Sequence, residues 1–91
     1  MGLDPELLKQ LIGTFKLELR EQVQIITEGL LVLEKNDKKN KDETIKSIFR
    51  AAHNIKGASR SLGIDTVADI SHHIETLFSS TLKERVDTYK V

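Results

Sequence analysis

The chain has no cysteine among its 91 residues, which removes disulfides, thiolate metal sites and thiol nucleophiles. A reducing, cytoplasmic location is the corresponding expectation. Net charge is lacking too: 14 basic residues are matched by 14 acidic ones, so there is no overall positive field of the kind that carries general nucleic-acid or membrane binding. One proline, three phenylalanines and one tyrosine leave little material for a turn-rich β architecture. No stretch approaches the roughly 20 consecutive apolar residues of a membrane span. Met1 to Glu6 has no apolar run behind a basic region, so a soluble, unprocessed chain is expected. Neither G-x-x-x-x-G-K nor G-x-G-x-x-G occurs, and with them goes the loop that would cradle a nucleotide phosphate.

What is present is helical periodicity in a chain long enough for one domain, residues 1–91, and too short for two separate cores. Asp4-Pro5-Glu6 combines a capping side chain, a proline where no N–H is needed and an acid in the first turn. From there Leu8, Leu11, Phe15, Leu19, Val23, Ile26, Leu30 and Leu33 recur at steps of three or four, predicting a helix over 5–34. A polar linker follows over 35–41, within the apolar-free stretch NDKKNKD from Asn36 to Asp42. A second helix is predicted over 42–62, with Ile45, Ile48, Phe49, Ala52, Ile55, Ser59 and Leu62 inward and Gly63 as its left-handed stop. Asp65 can cap a third over 65–82, with Val67, Ser71, Ile74, Leu77, Phe78 and Thr81 inward. Short connections between such helices predict an all-α antiparallel bundle.

One stretch stands apart from this pattern. In AAHNIKGASRSLG, Ala51 to Gly63, His53 falls roughly 120° from the centre of the inward set at 100° per residue, on the helix flank. Lys46, Arg50, Lys56, Gly57 and Arg60 share that flank and make a basic strip around the imidazole. Gly57, one turn beyond, costs about 1 kcal/mol of helix propensity against alanine, which suggests a need for close approach. On the third helix His72 and Glu75 are three apart, hence on one face, and His73 points elsewhere. If the chain reverses at Gly63, a residue ten before the turn faces one about ten to twelve after it. His53 and Glu75 satisfy that count. A carboxylate accepting from Nδ1–H would fix the tautomer and leave Nε2 outward as a nucleophile, and Lys56 would neutralise an added phosphoryl group. An exposed histidine on a charged flank also needs no purpose at all. A zinc site through His53, His72 and Glu75 is disfavoured by the missing H-E-x-x-H pattern and by Lys56 beside it.

FRAAHNIKGASRSLG resembles the phosphoacceptor helix of histidine phosphotransfer (HPt) domains: a His, then Lys and Gly three and four positions later, and a Gly ending the helix. RAAHNIKG is most similar to the N-terminal HPt domain of CheA-type chemotaxis histidine kinases, in which a His and a Glu on the next helix bond to the phosphoacceptor; His72 and Glu75 stand at the matching places. One difference is Gly57-Ala58-Ser59 where many CheA domains follow the lysine with two glycines, a form also common in phosphorelay HPt domains.

The resemblance implies that His53 is phosphorylated, that Glu75 orients it through Nδ1, that Lys56 and His72 support it and that Gly57 gives access. It implies a kinase catalytic domain as donor and a response-regulator receiver aspartate as acceptor, with Lys46, Arg50 and Arg60 meeting the partner's acidic pocket. The chain would have no cofactor of its own, ATP and Mg²⁺ coming with the partner domains, and would not react with ATP by itself. Feeding by an upstream receiver aspartate in a phosphorelay stays open, as does a non-catalytic helical oligomerisation module. The family fold is a four-helix bundle, whereas LKERVDTYKV makes a poor fourth helix. The expectation is therefore three helices with the fourth missing or supplied by self-association, because the apolar groove left open would seldom stay in water.

Overall fold

The computed structural model describes residues 4–35 and 40–90, with side chains up to Leu82. It holds three helices: α1 (Pro5–Glu34), α2 (Lys41–Ser61) and α3 (Asp65–Lys90). Helix α1 starts as its first residues dictate, with the Asp4 carboxylate accepting from the Glu6 N–H at 3.3 Å and Pro5 in the first turn. Asn40 precedes α2, and its carbonyl accepts from the Thr44 hydroxyl at 2.8 Å. Helix α2 ends at Ser61, and Gly63 just beyond its Leu62 cap has φ +72°. The Ile64 N–H there reaches the Ser59 carbonyl at 2.8 Å and the Gly63 N–H reaches the Arg60 carbonyl at 3.1 Å. These paired bonds close the helix end and reverse the chain within a few residues, so α3 runs back along α2. Asp65 belongs to the first turn of α3 instead of preceding it, and the Ile64 carbonyl takes the first helical bond, from the Ala68 N–H.

Helix α2 is the central rod and packs against both neighbours, while among the described residues α1 and α3 make no close backbone approach to each other. Its buried residues are Ile45, Ile48, Ala51, Ala52, Ile55 and Ser59, joined by Phe15 of α1 and Ala68 and Ser71 of α3. Many are small, which lets helix axes come close. Ser59 is fully buried without cost because its hydroxyl donates to the Ile55 carbonyl at 2.6 Å. Gly29 makes the tightest approach: a Cβ there would stand 2.7 Å from Ile48 Cγ1 and 2.9 Å from its Cδ1. Its role in packing α1 on α2 is invisible to periodicity.

Several expectations change. Helix α3 does not end near Leu82 but continues to Lys90, since residues 82–90 contain neither Gly nor Pro and begin with good helix formers. Leu77, expected inward, is 62% exposed, and Leu8, Leu11, Val23 and Leu30 of the α1 stripe are exposed as well. The reason is the layer itself. With Cα extents of 56 × 22 × 15 Å, three rods side by side form a slab, and among the described residues the stripe beyond the α2 contact has no fourth rod to meet. Of these exposed residues only Val23 borders the trough of about 210 Å³ walled by Leu19, Val23 and Ile26 from α1 and by Val67, Ile70 and Ile74 from α3, with Ile55 at its floor. His53 is two residues from Ile55, about 160° around α2. The His53 flank and the apolar trough therefore occupy opposite faces.

Candidate functional site

The site is built where α2 and α3 run antiparallel, and its centre is a carboxylate. Glu75, 13% exposed, projects from α3 toward α2. Its Oε2 lies 2.6 Å from Nδ1 of His53, and its Oε1 accepts from Lys56 Nζ at 2.7 Å. His72 Nδ1 stands 3.8 Å from Oε1, beyond hydrogen-bond range, in the outer ring of the same cluster. Lys56, hydrogen-bonded to it, holds the Glu75 carboxyl below the usual glutamate range; partial burial opposes this, and the His53 bond again favours the ionised form. An ionised carboxylate has no proton to give. The hydrogen at the 2.6 Å contact must therefore sit on Nδ1, and in the neutral ring Nε2 carries the free lone pair.

His53 is 62% exposed, as expected of a flank residue. One turn earlier, half-buried Phe49 lies nearly parallel to it, with ring centroids 6.5 Å apart and an interplanar angle of 12°. Phe49 was expected in the core stripe, and its place beside the imidazole is the contact that periodicity misses; the signal available was its i, i+4 spacing. A Cβ on Gly57 would meet nothing within 4 Å, so among the described residues no packing calls for that glycine.

The structure thus brings His53, Lys56, His72 and Glu75 together and leaves the rest of the strip outside the cluster. Lys46 pairs with Glu43 at 3.9 Å and the Arg50 guanidinium donates to Ser47 Oγ at 3.5 Å, both at the surface. Arg60 is exposed in the last turn of α2. Lys56 differs from its expected stance: only 13% of its side chain is exposed and its ammonium is engaged by Glu75, because a long stem on the α3 side finds the nearest carboxylate. His73 turns away, its Nδ1 2.7 Å from the Asp69 carbonyl.

Residues 10–89 match the family model described as Hpt domain. The chain belongs to the Hpt domain family. Relatives of this Hpt domain include the chemotaxis protein CheA of Borreliella burgdorferi, 37% identical over 87% of the chain, and that of Rhizobium meliloti, 34% identical over 77%. The chemotaxis protein CheA of Listeria monocytogenes is 32% identical over 84%. The chain spans about a tenth of the length of these relatives, 9%, 9% and 12% respectively. No solved structure gives a significant match. Among the described residues no helix is long and apolar enough to cross a membrane.

Membership in this family, with CheA proteins as relatives, supports a phosphotransfer role in two-component signalling.

Proposed function

We propose that His53 is the phosphoacceptor of this Hpt domain, taking a phosphoryl group from a histidine kinase catalytic domain and passing it to a response-regulator aspartate. The observation that carries this reading is the 2.6 Å contact between Nδ1 and Glu75 Oε2 on a ring that is otherwise 62% exposed. That contact supports a proton on the inner nitrogen, with the outer one free as nucleophile. In the loading step the Nε2 lone pair forms a bond to the γ-phosphorus of ATP, the bond from phosphorus to the bridging oxygen breaks, and ADP leaves with its electrons. The ring then carries a positive charge with its proton still on Nδ1, and ionised Glu75 stabilises that charge directly. In the unloading step an aspartate oxygen of the receiver attacks phosphorus, the N–P bond breaks, and the pair returns to Nε2. No proton needs to leave the domain in either direction.

Phosphoryl transfer is mostly positioning and charge neutralisation, which divides the labour. The partners supply nucleotide and Mg²⁺. This chain supplies an oriented imidazole. Lys56 keeps Glu75 ionised from within, and Gly57 leaves the approach beside the ring open. Lys46, Arg50 and Arg60 face the partner's acidic pocket and chiefly raise the association rate, so added salt should slow the encounter. The reaction takes place in the cytoplasm, where ATP and receivers are found.

His53→Gln removes the nucleophile and, at an exposed flank, leaves the core untouched. The variant should keep the wild-type circular dichroism and take no acid-labile, base-stable phosphate from a kinase domain that labels the wild type. Label retained on the variant would exclude His53.

A further inference from the structure

We propose that Phe49 is the positioning residue that sets the plane of the His53 imidazole, and with it the direction of the Nε2 lone pair. The proposal rests on His53 being the phosphoacceptor. Attack on phosphorus runs along the lone pair, which lies in the ring plane and points away from the ring, so a tilted plane misdirects the nucleophile even when the tautomer is right. The Glu75 bond fixes where Nδ1 sits, but a single hydrogen bond leaves the ring free to pivot about it. The χ2 torsion of histidine is broad and supplies little restraint of its own. With 62% of the side chain exposed, most of the ring has no wall to lean on.

Phe49 supplies that wall. It precedes His53 by four residues, and helical side chains lean toward the N-terminus, so the imidazole is carried toward the phenyl ring. Centroids 6.5 Å apart with 12° between planes place the pair within the usual range of offset aromatic contacts. Phe49 is held in turn: it is half-buried, and it lies two turns before Lys56, on the side of α2 that meets α3. Order in the seam is thereby transmitted to a ring at the surface. Glu75 holds one atom and Phe49 holds the plane, and the two together determine where Nε2 aims. Phe49 touches neither phosphorus nor its oxygens and has no part in bond making.

The test compares wild type, Phe49→Leu and Phe49→Tyr in the full 91-residue chain. Leucine keeps apolar volume and removes the flat face, whereas tyrosine keeps both. Proton NMR of the wild type should show the His53 ring protons displaced by the phenyl ring current. In Phe49→Leu that displacement should vanish, and the initial rate of phosphorylation at saturating kinase domain should fall about two- to tenfold, the scale of one aromatic pair's geometric preference. Phe49→Tyr should retain both. A Phe49→Leu chain that is folded and phosphorylated at the wild-type rate overturns the proposal, as does Phe49→Tyr slowed as much as Phe49→Leu. Should the leucine variant not fold, the wild type decides alone: His53 ring protons at the shifts of an unstacked histidine overturn the proposal, and displaced ones support it. Label retained on His53→Gln would count against the phosphoacceptor reading, while the ring-current result would still report on the contact.

Discussion

Glu75 is the residue on which the site turns, since both of its oxygens are used and each partner needs it ionised. Glu75→Ala removes the Nδ1 acceptor while leaving Nε2 in place, so phosphorylation should slow without ceasing. A hydrogen bond to a charged group is worth about 1.5–3 kcal/mol, which as a rate corresponds to about 10- to 100-fold. Initial rates of labelling measure it, and an unchanged rate would reduce Glu75 to a surface acid. The same carboxylate makes a prediction in pH. Its folded pKa lies below the unfolded value, so it binds its proton more readily in the unfolded chain. Its contribution to stability is fully present above the ordinary glutamate value of about 4.3 and is lost as the pH falls through the lower folded value. Denaturant midpoints of wild type and Glu75→Gln should therefore converge as the pH is taken from 7 to below 4. A gap that stays constant would mean the carboxylate is not held in its charged form by Lys56 and His53.

At the scale of elements, two glycines in helix interiors behave oppositely. A methyl at Gly29 collides with the Ile48 side chain at 2.7 Å, and a methyl at Gly57 meets open space. Gly57→Ala should gain about 0.5–1 kcal/mol of stability, whereas Gly29→Ala should lose about 1–2 kcal/mol because overpacking exceeds the propensity gain. Urea unfolding of both variants checks the pair. If Gly57 is kept for a partner's approach, its alanine variant will be the more stable protein and the poorer phosphoacceptor. The contrast also marks what a sequence can and cannot carry. The His53–Glu75 pairing is legible in advance because Gly63 pins the reversal and the antiparallel register can then be counted along two rods. Which carboxylate a lysine stem selects is not legible, so Lys56 reads as a free cation until its Nζ is seen on Glu75. Nor does periodicity separate a glycine wedged against a neighbour from one facing water, or Phe49 in a core stripe from Phe49 beside an imidazole. The end of α3 is missed for a related reason: residues 82–90 look too short for a separate helix and are long enough to extend an existing one.

For the whole molecule, the slab leaves the trough between α1 and α3 uncovered, with Val23 and Ile70 exposed along it. A solution of the 91-residue chain alone offers one candidate cover, a second copy. Light scattering over rising concentration should therefore show self-association, and a well-folded monomer at high concentration would contradict it. Because His53 is on the opposite face, association through the trough should leave phosphorylation intact. The trough lies on one face and His53 on the other. The central claim concerns the His53 face: Glu75 holds the inner nitrogen of His53 and frees the outer one. The most direct measurement is nitrogen-15 and phosphorus-31 NMR of the wild-type chain after loading by a kinase domain, read for which nitrogen of which histidine carries phosphorus. The account predicts Nε2 of His53 alone; phosphorus on Nδ1 of His53, or on His72 or His73, would contradict it.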